Sequence, residues 1–476
     1  MNTQYVSGLH LARLLAGPPD ERPYYAALAR EIRRLVLDGR LPARVRLPAE
    51  RDLAAALGVS RTTVTAAYDR LRDQGFVESR QGAGSWTALP SGTVPPGARF
   101  GMSHAWPGSE VIDLGCAAPS APRIFPEAVA AAVARLPEYE AGPGYEPAGL
   151  AVLRATVAAR YTERGLPTRP DQIVITSGAQ QACTLLFQVL VESGDAVLAE
   201  RPTYPHALDA LRRRGARVVP VGVDAGWDIE LIGSGLRQAA ARVAYVIPDF
   251  QNPTGRLLDD AGRAALVAAA QDADALLVAD ETFTELPLAG SVPRPLAVHD
   301  PARVICVGSA AKLLWGGLRI GWIRTTAPLV RRLVLARESF DIASSVLDQL
   351  ITDELLHRID EVRAERVEWL TRGRDALTAA LGELLPDWTF TAPAGGMSLW
   401  VRLPAPVATD LAAAALRHGV RVMPGPVFGT EGVLEDRLRL PFVLPPETLR
   451  TAVERLAAAY REVESAPAAR PLPAYV

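Results

Sequence analysis

At 476 residues the chain is long enough for about three domains with sizeable cores, and its 49% hydrophobic content is that of a globular protein. Fifty-one basic against fifty-three acidic residues leave a net charge of −2, which excludes a chain basic throughout and confines any nucleic-acid surface to a local patch. Cys116, Cys183 and Cys306 stand far apart without metal-ligand spacing, excluding a disulfide framework and leaving no metal expected. No apolar run reaches membrane-spanning length, and the stretch Leu9 to Ala16 lacks a basic flank and a cleavage signal. The chain therefore reads as soluble and cytoplasmic, with no membrane partner.

The local patch lies near the amino terminus, where positions 20 to 90 carry twelve arginines against nine acidic residues. Leu28, Ile32, Leu35 and Val36 recur at helical spacing over Tyr24 to Leu37. Pro48 suits the opening of a short second helix that Gly58 ends after Leu57. Ser60 can cap a third helix, Arg61 to Gln74, by offering its hydroxyl to unpaired amides. Two helices joined by a three-residue turn make a helix-turn-helix, and the second opens on Arg61, Thr62 and Thr63, which can reach base edges and phosphates. Phe76-Val77-Glu78 and Ser85-Trp86-Thr87 read as strands around a glycine-rich wing, Arg80 to Gly84. A helical docking module with a solvated arginine face is the competing reading.

The run Leu47-Pro48-Ala49-Glu50-Arg51-Asp52-Leu53, followed by Val59-Ser60-Arg61-Thr62-Thr63-Val64, resembles the winged helix-turn-helix of the GntR regulators over about residues 22 to 88. The resemblance implies contact with double-stranded operator DNA through Arg51, Ser60, Arg61, Thr62 and Thr63, with Gln81 and Gly82 at the wing tip. Residues 89–110, with Pro90, Pro95, Pro96 and Pro107 and little periodicity, read as an extended connector.

Beyond it, short β-branched runs alternate with helical stretches: Ile173 to Thr176, Val197 to Ala199, Val243 to Ile247, Leu276 to Ala279 and Val304 to Val307. Such alternation predicts an α/β fold with a doubly wound, mostly parallel sheet, whose ligands gather at the carboxyl ends of its strands. Ser177-Gly178-Ala179-Gln180 follows the first strand and opens a helix whose free amides suit a phosphate. Tyr204, after the second, offers a ring that stacks on a heterocycle or simply packs. Asn252-Pro253-Thr254-Gly255, after the third, is by itself a plain turn. Asp280 ends an apolar strand, where a carboxylate needs a basic partner; a pyridinium nitrogen serves, and helix capping is the alternative.

Lys312 is the only lysine in the chain. Arginine replaces lysine wherever charge alone is wanted, but only an amine loses its proton and attacks an aldehyde. A coding bias that purged lysine and left one by chance is the competing account. Ser309 stands three residues before it and Arg319 seven after, a hydroxyl and a guanidinium suited to clamping a phosphate.

Together, residues from about 112 to 460 resemble the aspartate aminotransferase type of pyridoxal-phosphate enzyme, fold type I. The resemblance implies pyridoxal 5'-phosphate as cofactor, an internal aldimine on Lys312, and Asp280 on the pyridine nitrogen. It further implies Tyr204 on the ring, Asn252 on the phenolic oxygen, and Ala179, Gln180, Ser309 and Arg319 on the phosphate. Tyr145 resembles the tyrosine that reaches the neighbouring subunit's phosphate, which implies a homodimer, and Arg439 matches the arginine that grips a substrate carboxylate, although alone it is one arginine among fifty. One departure is clear. The family usually carries a tyrosine two or three residues past the aspartate, whereas Glu281, Thr282 and Phe283 stand here, leaving only the shorter hydroxyl of Thr282.

A GntR-type winged helix (20–88), a Pro/Gly-rich linker (89–110) and an aminotransferase-like effector domain (111–465, with a large lobe at 145–335 and a smaller α+β lobe at 336–465) resemble the organisation of the MocR regulators. That resemblance implies a head-to-tail dimeric transcription regulator that senses pyridoxal phosphate or an amino compound through aldimine exchange. The alternative is a true aminotransferase with an accessory DNA-binding domain.

Overall fold

The computed structural model describes residues 6–15, 22–37, 41, 45–80, 84–88, 111–430 and 434–465. It divides into two compact units, Met1–Glu110 and Val111–Val476. The expected linker and the wing-tip residues Gln81 and Gly82 lie outside the described residues.

The first unit contains α1 (Gly8–Leu14), α2 (Tyr24–Leu37), α3 (Glu50–Leu57), α4 (Arg61–Asp73) and the antiparallel pair β1 (Val77–Arg80) and β2 (Gly84–Thr87). Leu28, Ile32, Leu35 and Val36 are all buried and pack with Leu53, Leu57, Val64 and Leu71 in one core. Truncating one such leucine to alanine costs about 2–5 kcal/mol. Gly58 ends α3 at φ +66° and Ser60 Oγ accepts from the Thr63 amide at 3.1 Å, capping α4. Pro48 stays outside α3, which begins two residues later, because its carbonyl accepts from the Tyr68 hydroxyl at 3.1 Å. Helix α1 was not expected from the sequence. It lies on α3 so closely that a Cβ at Gly8 would sit 2.7 Å from the Asp52 carbonyl.

The second unit runs β3 (Ile112–Asp113), α5 (Phe125–Arg135), α6 (Ala151–Glu163), β4 (Ile173–Thr176), α7 (Ala179–Leu190), β5 (Ala196–Arg201), α8 (Pro205–Arg214), β6 (Arg217–Gly222), α9 (Ile229–Ala239), β7 (Val243–Val246), α10 (Asp260–Asp272), β8 (Leu276–Asp280), β9 (Val304–Ser309), β10 (Gly321–Arg324), α11 (Ala327–Arg337), α12 (Val346–His357), α13 (Ile359–Leu384), β11 (Ser398–Arg402), α14 (Ala408–Arg417), β12 (Val420–Arg421), β13 (Met423–Pro424), β14 (Arg437–Pro441) and α15 (Pro446–Ser465). Seven strands form one sheet in the order β4-β10-β9-β8-β7-β5-β6, parallel except for β10, which is antiparallel to both neighbours. All four residues of β4 and of β7 are buried, the continuous apolar run of strands covered on both faces. Strands β6 and β10 escaped the sequence reading, the second because its Gly321-Trp322 start follows directly on the loop read as a phosphate clamp.

A smaller antiparallel sheet, β11-β14-β13, packs among α13, α14 and α15. Strand β3 pairs in parallel with β12, Ile112 opposite Val420 and Asp113 opposite Arg421. The start of this unit is thereby tied to its late part, a connection that a lobe counted only from residue 336 leaves out.

Candidate functional site

The carboxyl ends of β4, β5, β7, β8 and β9 point the same way, and the polar residues follow them. After β4, Gly178 takes φ +88° and α7 begins at Ala179, turning its first amides outward. Arg319, at φ +52°, lays its guanidinium against this turn, Nη2 donating to the Ser177 carbonyl at 3.1 Å. The approach leaves no room for side chains. A Cβ on Gly178 would stand 2.7 Å from Arg319 Nη2, and one on Gly321 2.8 Å from the Ala179 amide nitrogen. Ser309 ends β9 and its Oγ accepts from the Ala311 amide at 3.1 Å. Gln180 donates to the His206 carbonyl at 3.2 Å, while its buried Oε1 has no partner among the described residues. A cluster of helix-end amides, a guanidinium and a hydroxyl around bare backbone is a phosphate-sized anion cup.

Asp280 closes β8 and is buried. Its Oδ2 accepts from the Tyr245 hydroxyl at 2.6 Å and its Oδ1 from the Thr282 amide at 2.9 Å. Tyr245 was missed by the sequence reading, yet strand register contains the signal: Tyr245 stands opposite Val278 on the neighbouring strand, so Asp280, two residues on, shares its face. Burial, with Asp280 next in weight, pushes the Tyr245 hydroxyl far above its ordinary pKa, so it remains a donor.

Lys312 sits in a single π-helical turn, Ala311–Trp315, immediately after β9, a local form frequent at functional sites. Its Nζ donates to the Ala117 carbonyl at 2.7 Å and lies 5.7 Å from the centre of the Phe283 ring. Burial lowers its pKa to about 8; Arg439 and Arg319 push the same way, against Cys116 and Asp280. Phe283 stands three residues past Asp280, where the family's tyrosine is expected, whereas Ala117 and Cys116 are site residues that no motif announced.

Tyr204 opens α8, with its ring edge-on to His206 at 5.2 Å, and desolvation raises its hydroxyl pKa. Asn252 is buried in the turn after β7. Gln251 holds that turn, accepting from the Thr254 amide at 3.1 Å and donating to the Pro202 carbonyl at 2.7 Å, which ties it to the Tyr204 loop. Arg439, on β14, is buried, lies 5.1 Å over the Phe428 ring and donates to the Gly115 carbonyl; burial lowers its pKa to about 10. Thr282 Oγ1 is buried without a partner among the described residues. Tyr145 stands apart on the surface, 65% exposed.

In the first unit, Arg51 and Arg61 project into solvent, 82% and 73% exposed at the side chain. Ser60 Oγ lies 2.7 Å from Thr62 Oγ1 and 2.8 Å from Thr63 Oγ1, so capping and the two threonines form one hydroxyl cluster at the start of α4. Glu50, unnoticed in the sequence, holds Arg61 at 3.4 Å and Thr65 at 2.9 Å.

Residues 24–86 match the gntR family of bacterial regulatory proteins, and residues 109–456 match the class I and II aminotransferases. The class is thus a GntR-type DNA-binding module joined to an aminotransferase fold of type I. Among curated relatives, the probable rhizopine catabolism regulatory protein MocR of Rhizobium meliloti is 29% identical over 93% of this chain and 95% of its own length. The uncharacterized HTH-type transcriptional regulator YdcR of Escherichia coli is 30% identical over 85% of this chain and 92% of its own. The crystal structure of LysN, the α-aminoadipate aminotransferase of Thermus thermophilus, complexed with N-(5'-phosphopyridoxyl)-L-leucine, aligns at a TM-score of 0.69 and 32% identity, covering 75% of this chain and 93% of that one. The chain belongs to the MocR type of GntR regulators.

The residues present fit pyridoxal phosphate. The anion cup matches its phosphate, buried Asp280, oriented by donors on both oxygens, matches a pyridinium nitrogen, and Lys312 is an amine whose pKa burial lowers to about 8. Among the described residues no group of three or more His, Cys, Asp or Glu side chains has metal-binding geometry, and no helix is long and apolar enough to cross a membrane.

Proposed function

We propose that this protein is a DNA-binding transcription regulator that holds pyridoxal phosphate on Lys312 and responds to the cofactor or to an amino compound exchanged onto it. The observation that carries the reading is the single lysine of the chain, its pKa brought down to about 8 by burial, beside Asp280 and Arg319 and on one chain with a DNA reader. The cofactor supplies an aldehyde and an electron-poor ring. The protein does the rest: Arg319, Ser309 and the Ala179 and Gln180 amides bind the phosphate, Asp280 with Tyr245 keeps a proton on the ring nitrogen, and Tyr204 and Asn252 fix the ring's face and oxygen. Arg439 receives a carboxylate. Exposed Tyr145 is available to a second subunit's phosphate cup, which supports a head-to-tail homodimer, with Arg51, Arg61, Thr62 and Thr63 on operator DNA. A ligand that favours one arrangement of such a dimer shifts the spacing of its two readers.

Lys312→Ala should abolish the yellow lysine–cofactor absorbance band and the response of promoter-fragment binding to amino compounds. Persistence of the band in that variant would overturn the reading. The aminotransferase alternative rests on the same site and on the likeness to LysN, and sustained turnover of an amino acid with a 2-oxo acid would establish it. The missing phenol after Asp280 weighs against efficient turnover.

A further inference from the structure

The chain enters the second unit along Ile112-Asp113-Leu114-Gly115-Cys116-Ala117, and this short segment is held at two places by different means. At its start the backbone is stitched to β12: the Ile112 amide donates to Gly419 O at 2.9 Å and the Leu114 amide to Arg421 O at 2.8 Å. Asp113 adds an ion pair with Arg421 at 3.3 Å and accepts from the Gly115 amide at 2.7 Å. These bonds involve no residue of the cofactor site. Further on, the two carbonyls that flank Cys116 accept from two of the three cations of that site. Arg439 donates to Gly115 O, and Lys312 Nζ donates to Ala117 O at 2.7 Å.

We propose that Gly115-Cys116-Ala117 is a strap whose release reports ligand occupancy of the site. The inference rests on the reading that Lys312 takes an aldehyde and Arg439 a carboxylate. A hydrogen on a nitrogen serves one acceptor at a time. When the neutral amine condenses with an aldehyde, a C=N bond forms, water leaves with the aldehyde oxygen, and both amine hydrogens are lost to it, so Ala117 O loses its donor. A carboxylate that takes the Arg439 fork competes in the same way for the hydrogen given to Gly115 O. Both events act on the same three residues while β3 stays fixed on β12. Cofactor alone thus loosens the Lys312 tether, whereas an amino acid exchanged onto it returns two hydrogens to Lys312 and, through its carboxylate, loosens the Arg439 tether instead, so the two ligation states free different ends of the strap.

Cys116 provides the readout. It is half-buried, whereas Cys183 and Cys306 are fully buried, so a small thiol reagent reports on Cys116 selectively in the native protein. In the full-length protein freed of cofactor, Lys312→Ala and Arg439→Met should each accelerate both Cys116 labelling and amide hydrogen exchange across residues 116–118. The expected acceleration is about tenfold, from loss of one charged hydrogen bond, with the double variant faster still and exchange at 112–114, in β7 and in β8 unchanged. In the unsubstituted protein, adding pyridoxal phosphate should raise exchange in 116–118, and this rise should be absent from Lys312→Ala. Unchanged exchange there in both single variants overturns the strap. So does an unsubstituted protein that develops the lysine–cofactor absorbance band while 116–118 exchanges no faster. If the band itself never forms, the reading of Lys312 fails instead. The unsubstituted arm needs no variant to fold.

Discussion

The pH at which Lys312 becomes reactive is the sharpest consequence of its surroundings. Only the neutral amine attacks an aldehyde, and burial brings the pKa to about 8. Near pH 7 roughly one amine in ten is then neutral, against roughly one in a few thousand for an ordinary lysine near 10.4. Capture should therefore run a few hundred-fold faster than at a solvated lysine. The sign is fixed: capture rises with pH and levels off above about 8, because beyond the depressed pKa no further amine is released. The assay is stopped-flow growth of the lysine–cofactor band after mixing cofactor-free protein with pyridoxal phosphate across a pH series. Two variants test the causes separately. Arg439 lowers the Lys312 pKa and Asp280 raises it, so Arg439→Met should move the midpoint up and Asp280→Asn down. A rate still climbing at about pH 10 would show that Nζ is bathed in water, and would refute the burial argument.

Three further outcomes follow from individual contacts. Tyr245→Phe removes the hydroxyl that donates to Asp280 at 2.6 Å in a fully buried setting; cofactor affinity, read by absorbance titration, should fall by about tenfold or more, since bonds to charged groups contribute roughly 1.5–3 kcal/mol. Gly178→Ala places a Cβ 2.7 Å from Arg319 Nη2 at φ +88°; phosphate-cup binding should be lost along with about 1–3 kcal/mol of stability in denaturant titrations, and normal cofactor affinity would show that Arg319 does not serve the phosphate. Arg61→Ala should relax base preference in operator-binding assays and cost about 1–3 kcal/mol if its fork reads a base; operator affinity equal to that of the parent would remove α4 as the recognition helix.

What the sequence disclosed, it disclosed through periodicity and through residues that end elements. The spacing of Leu28, Ile32 and Leu35, the Gly58 stop and the Ser60 cap are local signals, and α2, α3 and α4 follow them to within two residues. Asp280 and Ser309 were legible because they close apolar strands. The contacts that tune the site were less so, since they join residues far apart in the chain. Tyr245 reaches Asp280 across 35 positions and Ala117 reaches Lys312 across 195, and no local pattern marks a carbonyl as a lysine's partner. Glu50 was hidden differently: as the first residue of α3 it reads as an ordinary first-turn acid, whereas across the turn it restrains Arg61 and Thr65.

The chain departs from the aminotransferase pattern by the hydroxyl of one side chain in the segment that follows Asp280. The family's usual tyrosine past the aspartate is absent, yet the Phe283 ring remains 5.7 Å from Lys312 Nζ, so the aromatic surface is kept without its donor. Thr282 Oγ1 is buried and bonds to no described residue, so this shorter hydroxyl is not engaged by the described part of the protein. Phe283→Tyr adds a hydroxyl to a ring already in place and leaves the anion cup, Asp280 and Arg439 untouched. A donor near the cofactor's oxygen stabilises its anionic form, so the band of the loaded protein should titrate at lower pH. Conversion of the cofactor by a single amino acid should also accelerate, by about tenfold or more if the hydroxyl joins proton transfer. DNA binding, carried by a separate unit, should stay as it was. If neither the titration nor the conversion rate moves, the Phe283 ring is packing alone, and the restraint on turnover lies in another residue of the site.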